Sequence, residues 1–155
     1  MLTAFSRAEI PEEFLFFISG NADLSLSEHI NRLGIAHRVR FLGHIAERDL
    51  PALYSGAFAT LYVSLMEGFG LPVIESMASG TPVITANVTA LPEVSGGAAL
   101  CVDPFDTEAI AHGIERLVSD QTLYRHYVQL GYTRSREFSW ETTARKTWEI
   151  ILMTP

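Results

Sequence analysis

Ser64-Leu65-Met66-Glu67-Gly68-Phe69-Gly70-Leu71-Pro72-Val73-Ile74-Glu75 runs on into Ser76-Met77-Ala78-Ser79-Gly80-Thr81-Pro82-Val83-Ile84-Thr85. The stretch reads as a strand end, a loop with two glycines, a helix over about 72–79 and a further strand. Pro72 marks the helix start, because a first-turn residue needs no intrahelical N–H and proline's fixed φ already suits the helix. A strand, a helix and another strand in such close order point to an α/β layer.

The rest of the chain repeats this rhythm. Short apolar runs at Phe14 to Ile18, Val39 to Leu42, Ala59 to Val63, Pro82 to Thr85 and Ala98 to Val102 are bounded by Gly, Pro or polar turns. Such runs suit strands buried on both faces of a parallel sheet, although periodicity alone also allows short buried helices. Residues about 25–34 and 47–55 read as helices between them, so the expected architecture is a doubly wound, Rossmann-like parallel sheet of about five strands. Beyond the last strand only helices are expected, a tail over about 106–153. Asp106 caps the first, with Ile110, Ile114 and Leu117 at helical spacing; a second covers 121–137; Ser139 caps a third with Ala144, Trp148 and Ile151 on one face. The 155 residues, 48% hydrophobic and 19% charged, suit one domain over 1–155 with a single core.

Several function classes recede on composition. Eighteen acidic residues stand against 11 basic ones, and Lys146 is the one lysine, so a general nucleic-acid-binding face is not expected. No apolar run approaches the roughly 18 to 20 residues that span a bilayer. The lone Cys101 lies in an apolar run and reads as a buried core thiol, in keeping with a cytoplasmic chain. The five His and one Cys show no zinc-type spacing, so no metal site is expected.

The glycine loop carries the chemistry. Two glycines ahead of a helix N-terminus let the backbone approach a ligand, and the free amides with the helix dipole favour an anion such as a diphosphate; a tight turn with no ligand remains the alternative. Glu67 in the loop and Glu75 in the first helical turn lie near the C-terminal ends of strands, where open α/β sheets bind ligands. Each ionised carboxylate accepts hydrogen bonds from vicinal hydroxyls, as ribose and hexose rings offer. Taken singly, Glu75 also fits as a complement to the helix dipole and Glu67 as a solvated loop charge.

Glu67-Gly68-Phe69-Gly70-Leu71-Pro72, Glu75 after seven intervening residues, and Ala78-Ser79-Gly80-Thr81-Pro82-Val83-Ile84 together resemble the signature of glycosyltransferase family four. Arg38-Val39-Arg40-Phe41-Leu42-Gly43, Leu50-Pro51-Ala52-Leu53-Tyr54, Ala90-Leu91-Pro92-Glu93-Val94, Val102-Asp103-Pro104 and Phe138-Ser139-Trp140 stand in the order that family shows, so the resemblance runs from about Leu15 to Trp148. It implies the C-terminal, donor-binding half of a GT-B enzyme that transfers a hexosyl group, with retention, from a nucleoside diphosphate sugar to a glycan or lipid-linked acceptor. It further implies that Glu67 is the catalytic-site residue beside the donor sugar, that Glu75 binds the ribose hydroxyls, that the amides of Gly68, Phe69, Gly70 and Leu71 contact sugar and phosphate, and that His44 lies near the base, where a merely solvated His is the alternative. The donor phosphate helps to accept the acceptor's proton, and neither metal nor further cofactor is used. Glu67 is read as supporting the donor and not as a covalent nucleophile, since the carboxylate pair of ordinary glycosidases is a poor analogy.

By the same resemblance, an Arg and a Lys that neutralise the diphosphate belong to a strand-loop-helix unit preceding Met1, as does the acceptor domain. The loss of two charge-assisted contacts, each about 1.5 to 3 kcal/mol, weakens donor binding by orders of magnitude. The sheet then lacks its first central strand, and the open edges at the gap invite self-association or a partner chain. The whole enzyme is expected in the cytoplasm, peripheral to the membrane. A stand-alone or split-enzyme nucleotide-sugar module, and an interaction domain with an idle motif, are the competing readings.

Overall fold

A computed structural model describes residues 1–153. After α1 (Leu2–Arg7) the chain alternates: β1 (Phe16–Ile18), α2 (Leu24–Arg32), β2 (Val39–Phe41), a 3-10 turn (Glu47–Asp49), α3 (Leu50–Gly56), β3 (Thr60–Tyr62), α4 (Leu71–Ala78), β4 (Val83–Ala86), α5 (Leu91–Ser95) and β5 (Leu100–Val102). Three helices follow, α6 (Thr107–Ser119), α7 (Gln121–Ser135) and α8 (Trp140–Met153). Their starts are chemically fixed. The Asp106 carboxylate accepts from the amides of Glu108 and Ala109, Asp120 accepts from Thr122 and Leu123, and Ser139 Oγ accepts from Thr142.

All strand pairs are parallel, and they form two sheets. Phe16 lies opposite Val39 in the pair β1-β2, while β3-β4-β5 aligns Thr60 with Val83 and Ile84 with Leu100. The sheet is therefore broken between β1 and β3, at the position expected for a missing central strand. Near the break the rings of Phe14 and Phe58 meet edge to face at 5.1 Å, and Phe58 leans on Tyr124 of α7. One apolar core extends across both sheets.

Burial corrects one expectation. Only β4 is buried along its whole length; the ladder continues on both of its edges and helices cover it. The remaining strands are partly open. Phe17 is 53% exposed, β3 is half-buried, and Cys101 is exposed, not a core thiol. The apolar run Ala98 to Val102 forms an edge strand, so its alternate residue turns outward where an inner strand would have buried it. The helix after the second glycine begins at Leu71, which leaves no acidic residue in its first turn and puts Glu75 in the second.

The core that holds the site lies between α4, β4, α5 and α6. Met77, Ile84, Leu91 and Leu117 are among the largest fully buried side chains, and each such burial is worth about 1.5 to 3 kcal/mol. Helix α7 packs closely on α4 because Gly131 lacks a side chain; a Cβ there would stand 3.0 Å from Met77 Cγ. Helix α8 buries no residue, so the expected apolar face of Ala144, Trp148 and Ile151 stays exposed.

Candidate functional site

A network of hydroxyls ties the elements beneath the glycine loop. Ser76 Oγ, fully buried on α4, shares a hydroxyl–hydroxyl bond with Thr60 Oγ1 at 2.8 Å and gives its single proton to the Thr81 carbonyl at 3.1 Å. Thr81 Oγ1 donates to the Tyr54 carbonyl at 2.6 Å, and Thr85 Oγ1 donates to the Tyr62 carbonyl at 2.9 Å. These bonds fix the ends of α3 and β3 against α4 and β4, and so set where the phenols of Tyr54 and Tyr62 stand.

Those phenols hold the two glutamates. Tyr62 donates to Glu67 Oε1 at 2.6 Å, and Tyr54 donates to Glu75 Oε2 at 3.2 Å. Burial, then the hydrogen bond and charge of Glu67, push the Tyr62 phenol up to about 12. Tyr54 rises to about 12 by burial first, then by Glu75, with a smaller contribution from Tyr62. Both phenols therefore stay protonated, as donors, throughout the neutral range.

The loop between them is open to a ligand. Gly70 caps α4 at φ 100°, and a Cβ on it would lie 2.7 Å from Leu91 Cδ2, so glycine is demanded by both backbone and packing. Gly68 has open space around it and needs glycine for neither reason. Among the described residues no protein acceptor takes the amides of Gly68, Phe69, Gly70 or Leu71. Four consecutive amides ahead of a helix N-terminus, with no first-turn carboxylate, make a surface suited to anionic oxygens. Phe69 is braced from outside by Phe138, whose ring lies edge-on at 5.7 Å.

His44 is set in the turn after β2. It is exposed and lines a cavity of about 330 Å³ with Ser19, Gly20, Asn21, Gly43, Ile45 and Leu50, where the turns after β1 and β2 are bonded together through Gly20 and Gly43. The lining contains neither glutamate. Helix α3 joins the two places: Leu50 lines the cavity and Tyr54, one turn on, bonds Glu75. Among the described residues no group of three or more His, Cys, Asp or Glu is placed to hold a metal ion.

A family model described as "Glycosyl transferases group 1" matches residues 1–134. The chain belongs to that family. It is 41% identical over 109 residues to O-antigen chain mannosyltransferase B of Escherichia coli, an alignment covering 70% of this chain and 29% of that protein. The sucrose-phosphate synthase structure from Thermosynechococcus elongatus superposes with a TM-score of 0.84 at 28% identity, over 97% of this chain and 40% of that one. Anabaena HepE, solved in complex with UDP-glucose, superposes with a TM-score of 0.86 over 97% of this chain and 43% of that one; at 24% identity it speaks for the fold alone. The glycosyltransferase chain thus spans well under half the length of these relatives, and its fold is that of one Rossmann-like half of a GT-B enzyme.

Sequence reading missed Tyr54, Tyr62 and Thr89. Tyr54 closes the segment Leu50 to Tyr54 and Tyr62 ends a strand five residues before Glu67, yet an aromatic in either place reads first as core. Thr89, in the turn after β4, carries the Glu67 amide on its hydroxyl at 3.3 Å. No local pattern signals that bond, since 22 residues separate the partners.

Proposed function

We propose that this glycosyltransferase chain binds a nucleoside diphosphate sugar and serves as the donor half of a retaining hexosyl transfer to a glycan or lipid-linked acceptor. The four unbonded amides from Gly68 to Leu71, flanked by two tyrosine-held glutamates, carry the reading. In it the diphosphate and sugar oxygens lie on the amides, Glu75 accepts from the ribose hydroxyls and Glu67 from the sugar. His44, on the rim of the cavity joined to Glu75 through α3, faces the base. The O-antigen mannosyltransferase relative supports a hexose donor and a polysaccharide product, and HepE supports a nucleotide-sugar ligand on this fold.

The donor phosphate accepts the acceptor's proton in this scheme, Glu67 forms no covalent bond to the sugar, and no metal takes part. The tyrosines keep each carboxylate in one orientation while leaving the other oxygen for ligand hydroxyls. The acceptor site lies outside the chain, and the whole enzyme works in the cytoplasm against the membrane; among the described residues no helix is long and apolar enough to cross one. The competing reading is a binding module whose transfer activity depends on a partner chain. Saturation-transfer NMR with UDP, GDP, UDP-glucose and GDP-mannose tests both. Transfer of saturation to at least one nucleotide sugar, unchanged by EDTA, supports donor binding; none at millimolar ligand contradicts it.

A further inference from the structure

Glu67 sits in a segment without regular structure, Val63 to Gly70, yet it is fixed at two points. Its Oε1 accepts from the Tyr62 phenol at 2.6 Å, and its amide donates to Thr89 Oγ1 at 3.3 Å. The two tethers come from different elements, one from the end of β3 and one from the turn between β4 and α5. Thr89 has φ 58°, the one positive value at a non-glycine position among the described residues. A β-branched residue in the left-handed region is an outlier that the surrounding structure must enforce, and such strain gathers where a site is preorganised. Glycine would relieve the strain and lose the hydroxyl. Among the described residues no group bonds Glu67 Oε2.

We propose that Tyr62 and Thr89 are positioning residues that lock Glu67 so that its unbonded Oε2 is presented to the donor sugar, which makes them determinants of sugar affinity as distinct from nucleotide affinity. The inference rests on the donor-site reading above. Tyr62 occupies Oε1 and prevents the carboxylate from rotating, while Thr89 fixes the backbone from which the side chain projects. Neither touches the ligand. The phenol's resistance to ionisation, from burial and from Glu67, keeps this donor in place at neutral and mildly basic pH.

The test titrates wild type, Tyr62→Phe, Thr89→Val, Thr89→Ser, Glu67→Gln and the double variant Tyr62→Phe/Glu67→Gln with UDP and UDP-glucose and with GDP and GDP-mannose. For whichever pair wild type binds, Tyr62→Phe and Thr89→Val lower the ratio of nucleotide-sugar to nucleotide affinity by about threefold to tenfold, the scale of one lost hydrogen bond. Thr89→Ser keeps the ratio, and adding Tyr62→Phe to Glu67→Gln costs nothing further. Thr89→Gly, which removes strain and hydroxyl together, shifts the ratio like Thr89→Val while unfolding at no lower temperature, so a folding defect in the valine variant leaves the question decided. Equal losses on nucleotide and nucleotide sugar, or additive losses in the double variant, overturn the positioning role. If wild type binds no probe, the donor-site reading itself fails; if it binds and no variant alters the ratio, only the positioning role does.

Discussion

Glu67 and Glu75 receive different work from similar surroundings, each a carboxylate with a phenol on one oxygen. Glu75→Gln is expected to weaken nucleoside diphosphate and nucleotide sugar alike, through lost ribose contacts, whereas Glu67→Gln weakens the sugar conjugate selectively. Parallel titrations check this, and equal effects of Glu67→Gln on both ligands would contradict the assignment. The phenols give a second readout. With folded values raised to about 12, above the ordinary 10, the tyrosine-carboxylate bonds contribute stability that is fully present below pH 10 and lost as pH rises through 12. Ultraviolet titration should show Tyr54 and Tyr62 ionising late, and Glu67→Gln should bring Tyr62 forward. At Gly70 the geometry is less forgiving: Gly70→Ala places a Cβ 2.7 Å from Leu91 in a left-handed backbone, which should cost about 1 to 3 kcal/mol by thermal unfolding.

Among the elements, α4 and α8 stand at opposite ends of dependence on packing. Met77→Ala removes a fully buried side chain that α7 reaches through Gly131, and a loss of about 2 to 5 kcal/mol in denaturant unfolding is expected. Trp148→Ser on α8, where the residue is 62% exposed, should change stability by no more than about 0.5 kcal/mol. The sequence pattern distinguished these helices poorly, because Trp148 and Ile151 keep the spacing of a buried face yet both are exposed. It was more telling where chemistry is local: Pro72, Gly70, Asp106 and Ser139 all mark helix starts that the structure has, to within a residue. Exposure was harder to read than element type. Cys101 and Phe17 lie in strands that occur as expected, but whether a neighbour covers an apolar run depends on strand order, which the run itself does not encode. The same holds at the site, where the glycines and glutamates were legible in one short stretch and Tyr54 and Thr89 were not, being brought in from elsewhere in the chain.

For the whole molecule, the break between β1 and β3 leaves two strand edges that no strand of the described residues pairs, with the exposed Leu15 and Phe17 beside one of them. Unpaired apolar edges favour association. Sedimentation should therefore show concentration-dependent self-association, reduced by Phe17→Lys; a monodisperse species at all concentrations would show that the edges are protected in solution. Donor binding remains the central claim, and amide chemical-shift mapping during titration with UDP-glucose and GDP-mannose tests it most directly. The largest shifts should fall on Gly68, Phe69, Gly70, Leu71 and Glu75 for at least one of the two ligands. Shifts confined to the opposite, N-terminal ends of the strands, or none with either ligand at millimolar concentration, would contradict it.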